Sequence, residues 1–475
     1  MDNSIFRNKF WFVFFVLFVF WYLLLYGFDW SFLPGLSSIT LDHDKSIQSL
    51  FVRSNPDVVE TNNSQDSSEN TTNFLGKQEI FVNTTSAEND VDIEGLEKEL
   101  EPLLGKYEDE DENYEKCKGR YIYVHNLPSC YNQDLIKNCK LLNQWTNMCP
   151  SLVNMGLGPD LGNPQRIFLN KGWFNTHQFN LEVIFHNRMK QYDCLTNDSS
   201  KAAAIFVPYY AGLDVSRYLW SSKNASVRDY DSVNLVKWLK ERPEWKRMWG
   251  KDHFLVAGRI TWDFRRGTND DSGWGNNLMR LPESQNITML TIESSPWHRN
   301  DFAIPYPTYF HPSSDNDVLL WQSKMKRQKR KNLFCFAGAP RPNMVDSIRD
   351  EIMEQCKTSR RKCRLLECTN NRNKCHKPVY LMKMFQTSIF CLQPSGDSFT
   401  RRSTFDSILA GCIPVFFSPA SAYVQYLWHL PKEFSKYSVL ISEDDVKNKT
   451  INIDNMLSQI PRSKVSAMRE EAMSS

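Results

Sequence analysis

The chain has 475 residues, 41% of them hydrophobic and 13% aromatic, enough for about two to three domains with substantial cores. Its 57 Lys and Arg against 55 Asp and Glu leave a net charge of +2, which excludes a global electrostatic pull towards nucleic acid. Basic residues cluster only at Lys324–Lys331 and Arg360–Arg364, runs short enough to be solvated faces.

Residues 1–9 contain Arg7 and Lys9 and precede FWFVFFVLFVFWYLLLYGF, Phe10–Phe28, which carries no charge. Its length, about 19 residues, matches one bilayer crossing at about 1.5 Å per helical residue. Basic residues before it and Asp29 after it predict a signal anchor over 10–28, with residues 1–9 cytosolic and the bulk of the chain lumenal. The alternative, a cleaved signal peptide, has a shorter apolar region and a small-residue cleavage site, whereas Trp21, Tyr22 and Tyr26 crowd the end of this one. Residues 29–115 read as a disordered lumenal stem, from TNNSQDSSENTTN to the acidic YEDEDENYE, too polar to offset the entropy of ordering. Within it only Glu97–Leu104 has the spacing for a helical turn or two.

A lumenal address gives meaning to the sequons at Asn62, Asn70, Asn83, Asn197, Asn224, Asn286 and Asn448, each opening N-x-S/T without an intervening proline. It also favours pairing among the twelve cysteines. Cys117, Cys130, Cys139 and Cys149 form one group; Cys356, Cys363, Cys368 and Cys375 form another. A zinc site is the alternative for the second group, with His376 adjacent, but the spacing lacks a tight C-x2-C knuckle. Cys391 and Cys412 lie in apolar runs and read as buried thiols.

Order begins near Lys116. Strands are predicted over Arg120–Pro128, Ala202–Gly212, Asp252–Gly258 and Asn286–Ser294, with helices over Thr176–Tyr192, capped by Thr176, and over DSVNLVKWLKERPEW, ended before Pro243. A basic helix follows at 321–331, and the alternation restarts. Strands Asn332–Pro342, Ser388–Pro394 and Cys412–Phe417 are interleaved with helices Asp346–Cys356 and Thr404–Gly411. Continuous apolar strands separated by helices indicate parallel sheets covered on both faces. The fold class expected is α/β, with two facing Rossmann-like domains, 116–320 and 321–475, joined by a hinge near 312–332, behind the anchor and stem.

Chemistry concentrates in SGDSFTRRSTFDSILAGCIPVFF, Ser395–Phe417. It reads strand end, polar turn with Ser395, Gly396 and Asp397, helix, strand. Ligands in open parallel sheets sit outside the carboxyl ends of strands, and a helix start there suits a phosphate. Arg401 and Arg402 add guanidinium forks, and Asp406, about one turn on, is placed to accept from a ribose diol. The competing reading is a structural ion pair between Asp406 and either arginine. FAGAPRP supplies a second loop after a strand, with Gly338 and with Arg341 able to reach the same phosphates. There is no G-x-x-x-x-G-K-[ST] loop and no G-x-G-x-x-G with an acidic ribose reader. Asp109–Asp111 lies in the acidic stem and Asp315–Asp317 in a loop, so no metal site is expected and the charge of a leaving diphosphate falls to arginines and a helix dipole.

Several long strings, among them RYIYVHNLP, DHFLVAGRITWDFRR, IESSPW, DFAIPYPTYFHP, FAGAPRP and CLQPSGDSFTRRSTFDSILAGCIPVFFSPASAY, resemble the exostosin-like glycosyltransferases of plants, within them the xyloglucan galactosyltransferase group. The resemblance runs over roughly residues 116–475. It implies a Golgi single-pass type II membrane enzyme of GT-B type, with residues 116–320 on the acceptor side and 321–475 binding the nucleotide sugar. The implied reaction is inverting transfer of galactose from UDP-galactose to xylosyl side chains of xyloglucan, in cell-wall hemicellulose synthesis and without a required cofactor. Asp406 falls where the wider family places a ribose-binding acid, usually glutamate, and the arginines stand one or two residues earlier than usual. Relatives carry further C-terminal helix beyond the position of Ser475. Close relatives differ in the sugar transferred, and a weakly active member acting as a scaffold for other Golgi transferases is the alternative to an enzyme.

Inversion by single displacement requires a base for the acceptor hydroxyl. Asp214, following a buried strand in YYAGLDVSRYLW, and His177 are the candidates, with His125 and Asp263 as rivals. Each has a structural alternative: His177 in the first turn of a helix, His125 in a loop hydrogen bond, Asp263 paired with Arg265 or Arg266. Trp173, Trp220 and Trp262 are candidates for stacking on sugar rings or for core packing.

Overall fold

The computed structural model describes residues 116–474, save 268–270, 342, 343, 345, 346 and 370–372. The anchor over 10–28, the stem over 29–115 and the sequons at Asn62, Asn70 and Asn83 lie outside the described residues. Among the described residues no helix is long and apolar enough to cross a membrane.

Two five-stranded sheets, every pairing parallel, organise the chain. The first runs in order β1 (Ile122–Val124), β2 (Ala204–Phe206), β3 (His253–Ile260), β4 (Thr288–Glu293), β5 (Asp301–Ala303). Leu195 extends it past β1 through a parallel bridge to Ile122. The second sheet comprises β6 (Asn332–Gly338), β7 (Cys363–Glu367), β8 (Ser388–Gln393), β9 (Ile413–Phe416) and β10 (Val439–Leu440). Its spatial order is β10-β9-β8-β6-β7. Burial on both faces explains why β8 and β9 read as unbroken apolar runs. Strands β5, β7 and β10 carry no such run. They are short edge strands, and β7 begins inside the basic stretch that reads as a solvated face.

Eight helices matter to the argument: α1 (Leu181–Met189), α2 (Ala211–Ser216), α3 (Ala225–Lys240), α4 (Asp315–Arg327), α5 (Arg349–Thr358), α6 (Pro378–Gln386), α7 (Arg402–Leu409) and α8 (Arg462–Ser474). The expected cap of α1 by Thr176 is corrected: Asn180 precedes the helix, and the Thr176 hydroxyl donates to the Leu157 carbonyl instead. Asp315–Asp317 belongs to the start of α4, where Ser314 and Asp317 form a reciprocal capping box. Helix α7 ends at Gly411, whose φ of +62° a side chain would strain and whose Cβ would lie 2.9 Å from the Arg330 guanidinium.

The two halves share a core. Phe168 and Trp173 from the first half stack at 4.5 Å, and both join a cluster with Trp321, Met325, Met382, Phe385 and Cys391 of the second. The buried Lys324 ammonium donates to the carbonyls of Arg166 and Phe168, and Gln386 donates to Ile167. Trp173 is therefore a packing residue.

Disulfides join Cys117–Cys194, Cys139–Cys149, Cys356–Cys363 and Cys368–Cys375, so the second cysteine group is bonded rather than a zinc site. The expectation of buried thiols at Cys391 and Cys412 is corrected: they form a fifth disulfide, because β8 and β9 are neighbours. Cys130 and Cys335 are free.

Candidate active site between the two sheets

In the second sheet the chain passes from β6 outwards to β7 and then returns to β8 on the other side, so the loops after β6 and β8 diverge. Beyond the carboxyl ends of strands at such a reversal lies the usual ligand position in open parallel sheets. Three guanidinium groups converge there. Arg401 donates to the carbonyls of Ala337, near the end of β6, and Pro394, just past β8. Arg349, from the first turn of α5, makes a forked donation to the Ser395 carbonyl at 3.1 and 3.0 Å. Arg341 pairs with Asp397, a carboxylate largely in solvent. Burial, then the charges of Arg349 and Arg341, push the Arg401 guanidinium down to about 9, with Asp397 opposing. Cations crowded at this position suit an anionic ligand, whose charge would offset their mutual repulsion.

Arg402 points elsewhere. It donates to the Thr176 carbonyl in the first half and lies 3.7 Å from the centre of the Tyr309 ring. Its Nε is 3.3 Å from Asp406 Oδ2. Asp406 is 2% exposed, and burial raises its carboxyl to about 6 despite the Arg402 charge. Asp406 Oδ1 and Arg402 Nε and Nη2 are buried without a hydrogen-bond partner. Such orphaned polar atoms are costly unless a ligand completes them.

Facing helix α7 from the first half are Glu293, at the carboxyl end of β4, and His177. Glu293 accepts from the backbone N–H and the hydroxyl of Thr400 at 2.8 and 2.6 Å, and Thr400 also meets the Tyr306 hydroxyl at 3.0 Å. Burial raises the Glu293 carboxyl. Burial, then the Arg402 and Arg259 charges, lower His177 to about 4, so its imidazole is neutral at pH 7. Its Nδ1 accepts from the Phe179 N–H at 3.3 Å, which leaves the proton on Nε2 as a donor.

The structure thus brings Arg341, Ser395, Asp397 and Arg401 together with Arg349, and brings Arg402, Asp406 and His177 together on the other side of the α7 start. Gly338 is explained by packing, since a Cβ would meet the Phe336 ring at 2.5 Å, and a Cβ on Gly396 would meet nothing closer than 3.6 Å. Asp214 is enclosed in the first half, with one oxygen taking the Tyr209 hydroxyl at 2.5 Å and the other paired with Arg217. His125 lies 3.1 Å from His253, ring nitrogen to ring nitrogen. Asp263 pairs with Arg259, not with Arg265 or Arg266, which are taken by Asp301 and Asp229. Asn197, Asn224 and Asn448 are exposed, and Asn286 is half-buried with its amide donating to the Trp249 carbonyl.

Arg349 and Glu293 escape a linear reading. Arg349 sits among acids in an ordinary helical pattern. The signal for Glu293 is a carboxylate closing a parallel strand, the position where sheet-bound ligands are met.

Residues 116–457 match the Exostosin GT47 domain, and the chain belongs to that family. It is 58% identical over 363 residues to "Xyloglucan galactosyltransferase MUR3" of Arabidopsis thaliana, covering 76% of this chain and 58% of that one. It is 54% identical over 370 residues to "Probable xyloglucan galactosyltransferase GT12" of the same plant, covering 77% and 72%. It is also 43% identical over 337 residues to the plant's "Xyloglucan-specific galacturonosyltransferase 1", covering 71% and 49%. The matched part of the chain thus spans little more than half the length of the first of these relatives.

Proposed function

We propose that the chain is an inverting glycosyltransferase of GT-B type that moves galactose from UDP-galactose to xylosyl side chains of xyloglucan. We further propose that it works in the Golgi lumen, held by a single-pass type II anchor over 10–28. The relatives' names supply the acceptor and favour galactose, although the galacturonosyltransferase among them shows that similar chains differ in the sugar.

The observation that carries the reading is the set of guanidinium groups of Arg341, Arg349 and Arg401 at the β6/β8 reversal, faced by one exposed carboxylate. In that reading they hold the diphosphate and stabilise the negative charge that develops as UDP leaves. Asp406 Oδ1 accepts from a ribose hydroxyl. His177 Nε2–H donates towards the donor sugar or its phosphate. Of the candidate carboxylates of the first half, Glu293, which faces α7, fits the base best: its raised proton affinity suits removal of the acceptor proton, whereas Asp214 and Asp263 are locked to arginines.

The test is the purified full-length chain, assayed with UDP-galactose, UDP-galacturonic acid and UDP-glucose against defined xyloglucan oligosaccharides. Transfer of galactose, with β-linkage to xylose, is expected. Transfer of another sugar corrects the donor; binding of UDP without transfer to any acceptor leaves the scaffold reading.

A further inference from the structure

Of the six tryptophans with exposed rings among the described residues, Trp220 and Trp262 lie on segments that follow strands β2 and β3 of the first sheet. Trp220 is 59% exposed and Trp262 54% exposed. A freely placed indole on a soluble surface is unremarkable, but Trp220 is not freely placed. Its ring packs edge-on against Trp274, centroids 4.8 Å apart at 76°. Trp274 is fixed in turn, because its Nε1–H donates to Asp263 Oδ1 at 2.7 Å. The other oxygen of Asp263 takes Arg259 Nε at 2.6 Å, and the Arg259 guanidinium lies 4.1 Å from the centre of the Phe179 ring, whose backbone N–H holds His177. Trp262 immediately precedes Asp263 on the short turn that follows β3. An unbroken line of fixed contacts therefore runs from the Trp220 ring to the histidine beside Arg402.

We infer that Trp220, supported by Trp274, is a stacking platform for the β-linked glucan backbone of the acceptor, remote from the sugar that is modified, with Trp262, the sequence neighbour of Asp263, as a second exposed indole of the same surface. The inference rests on the proposed acceptor class. Indole rings offer large, rigid apolar faces at little cost in conformational entropy, and the faces of neutral pyranose rings are apolar while their edges are polar. A polymer acceptor needs such a surface because the cleft engages only one side chain. Remote contacts of this kind convert polymer length into binding without altering the chemistry. Position favours this occupant over a protein partner, since Asp263 and Arg259 tie the Trp274 support to Phe179 and His177, beside the proposed donor site.

The experiment compares full-length wild type with Trp220→Ala, Trp262→Ala, the double variant and Trp220→Phe, using long xyloglucan and a single-repeat oligosaccharide as acceptors. The expected result is a KM for the polymer raised about tenfold in Trp220→Ala and further in the double variant. The kcat, the KM for the short oligosaccharide and the affinity for UDP should stay within about twofold, and Trp220→Phe should recover most of the loss. Equal changes for long and short acceptors, or none, would overturn the inference. If the chain transfers nothing to xyloglucan, mobility in gels containing xyloglucan or unbranched β-glucans separates the two ideas: wild type retarded and Trp220→Ala not retarded sustains the platform, and no retardation of wild type overturns it. A change of oligomeric state in Trp220→Ala with unchanged polymer affinity assigns the surface to a second copy and also overturns it.

Discussion

Arg401 and Arg402 are neighbours in sequence whose guanidinium groups serve opposite sides of the helix they introduce. Arg401 turns to the reversal in the second sheet and ties together the ends of β6 and β8 through Ala337 and Pro394. Arg402 turns to the first half, where it reaches the Thr176 carbonyl, the Tyr309 ring and Asp406. The backbone of residue 401 is extended and that of 402 is helical, and this change of conformation sends consecutive side chains apart. In the proposed reading the doublet divides into one cation for the diphosphate and one for the seam between the halves.

Substitution should separate the two roles. Arg401→Ala is expected to weaken UDP binding by about 10- to 100-fold, the loss of a charge-assisted contact worth about 1.5–3 kcal/mol. Arg402→Ala removes the cation paired with the buried Asp406 carboxylate and should cost about 3–5 kcal/mol of stability. Calorimetry with UDP, alongside urea unfolding, checks both. Equal loss of binding in the two variants with unchanged unfolding would refute the division.

Asp406 predicts a pH dependence with a definite sign. Its folded carboxyl titrates near 6, above its ordinary 3.8, so the folded chain holds that proton more tightly than the unfolded chain does. Its contribution to stability is therefore fullest below pH 4, declines as the pH rises through the window to about 6, and is level above it. Donor binding runs the other way, because only the ionised carboxylate accepts without competing for the proton. UDP-galactose, whose phosphates do not titrate in this range, should bind up to about tenfold more weakly for each unit below pH 6. In Asp406→Asn that slope should flatten; the same slope in the variant removes the assignment.

The parts legible in the sequence are those carried by local pattern. Apolar runs announced β2, β3, β4, β6, β8 and β9, and the segment around Arg401, Arg402 and Asp406 stood out because two arginines and a carboxylate share the first turns of one helix. What was hidden depends on sheet order. Arg349 reaches Ser395 across 46 positions, and Thr400 meets Glu293 across 107, contacts that exist only once β4, β6 and β8 are placed. The disulfide between Cys391 and Cys412 was hidden for the same reason, and β5, β7 and β10 because short edge strands carry little apolar signal.

The charge at the β6/β8 reversal makes a prediction about metals. Arg341, Arg349 and Arg401 already supply the positive charge that a divalent ion would bring to a diphosphate, and Asp397, paired with Arg341, is the carboxylate among them. Transfer should therefore survive EDTA undiminished. Loss of activity on chelation, restored by manganese or magnesium alone, would show that the arginines do not suffice.

Glu293 offers the sharpest distinction between chemistry and architecture, because one substitution separates the two roles proposed for it. Its carboxylate holds the Thr400 N–H and hydroxyl just before Arg401, so it positions the donor site, and its raised proton affinity fits it to take the acceptor proton. Glutamine keeps an oxygen for the Thr400 N–H and loses the proton acceptor. If Glu293 is the base, Glu293→Gln should lower kcat by about 10²- to 10⁴-fold while the affinity for UDP stays within about threefold. If it only braces the loop, the variant should bind UDP more weakly, unfold at lower urea and turn over normally once saturated. The pH profile adds a second readout, since loss of a general base removes the acidic limb of the kcat curve and loss of a brace does not. Alanine in the same position leaves the Thr400 N–H buried without an acceptor, at a cost of about 1–3 kcal/mol, so that variant should lose stability under either role.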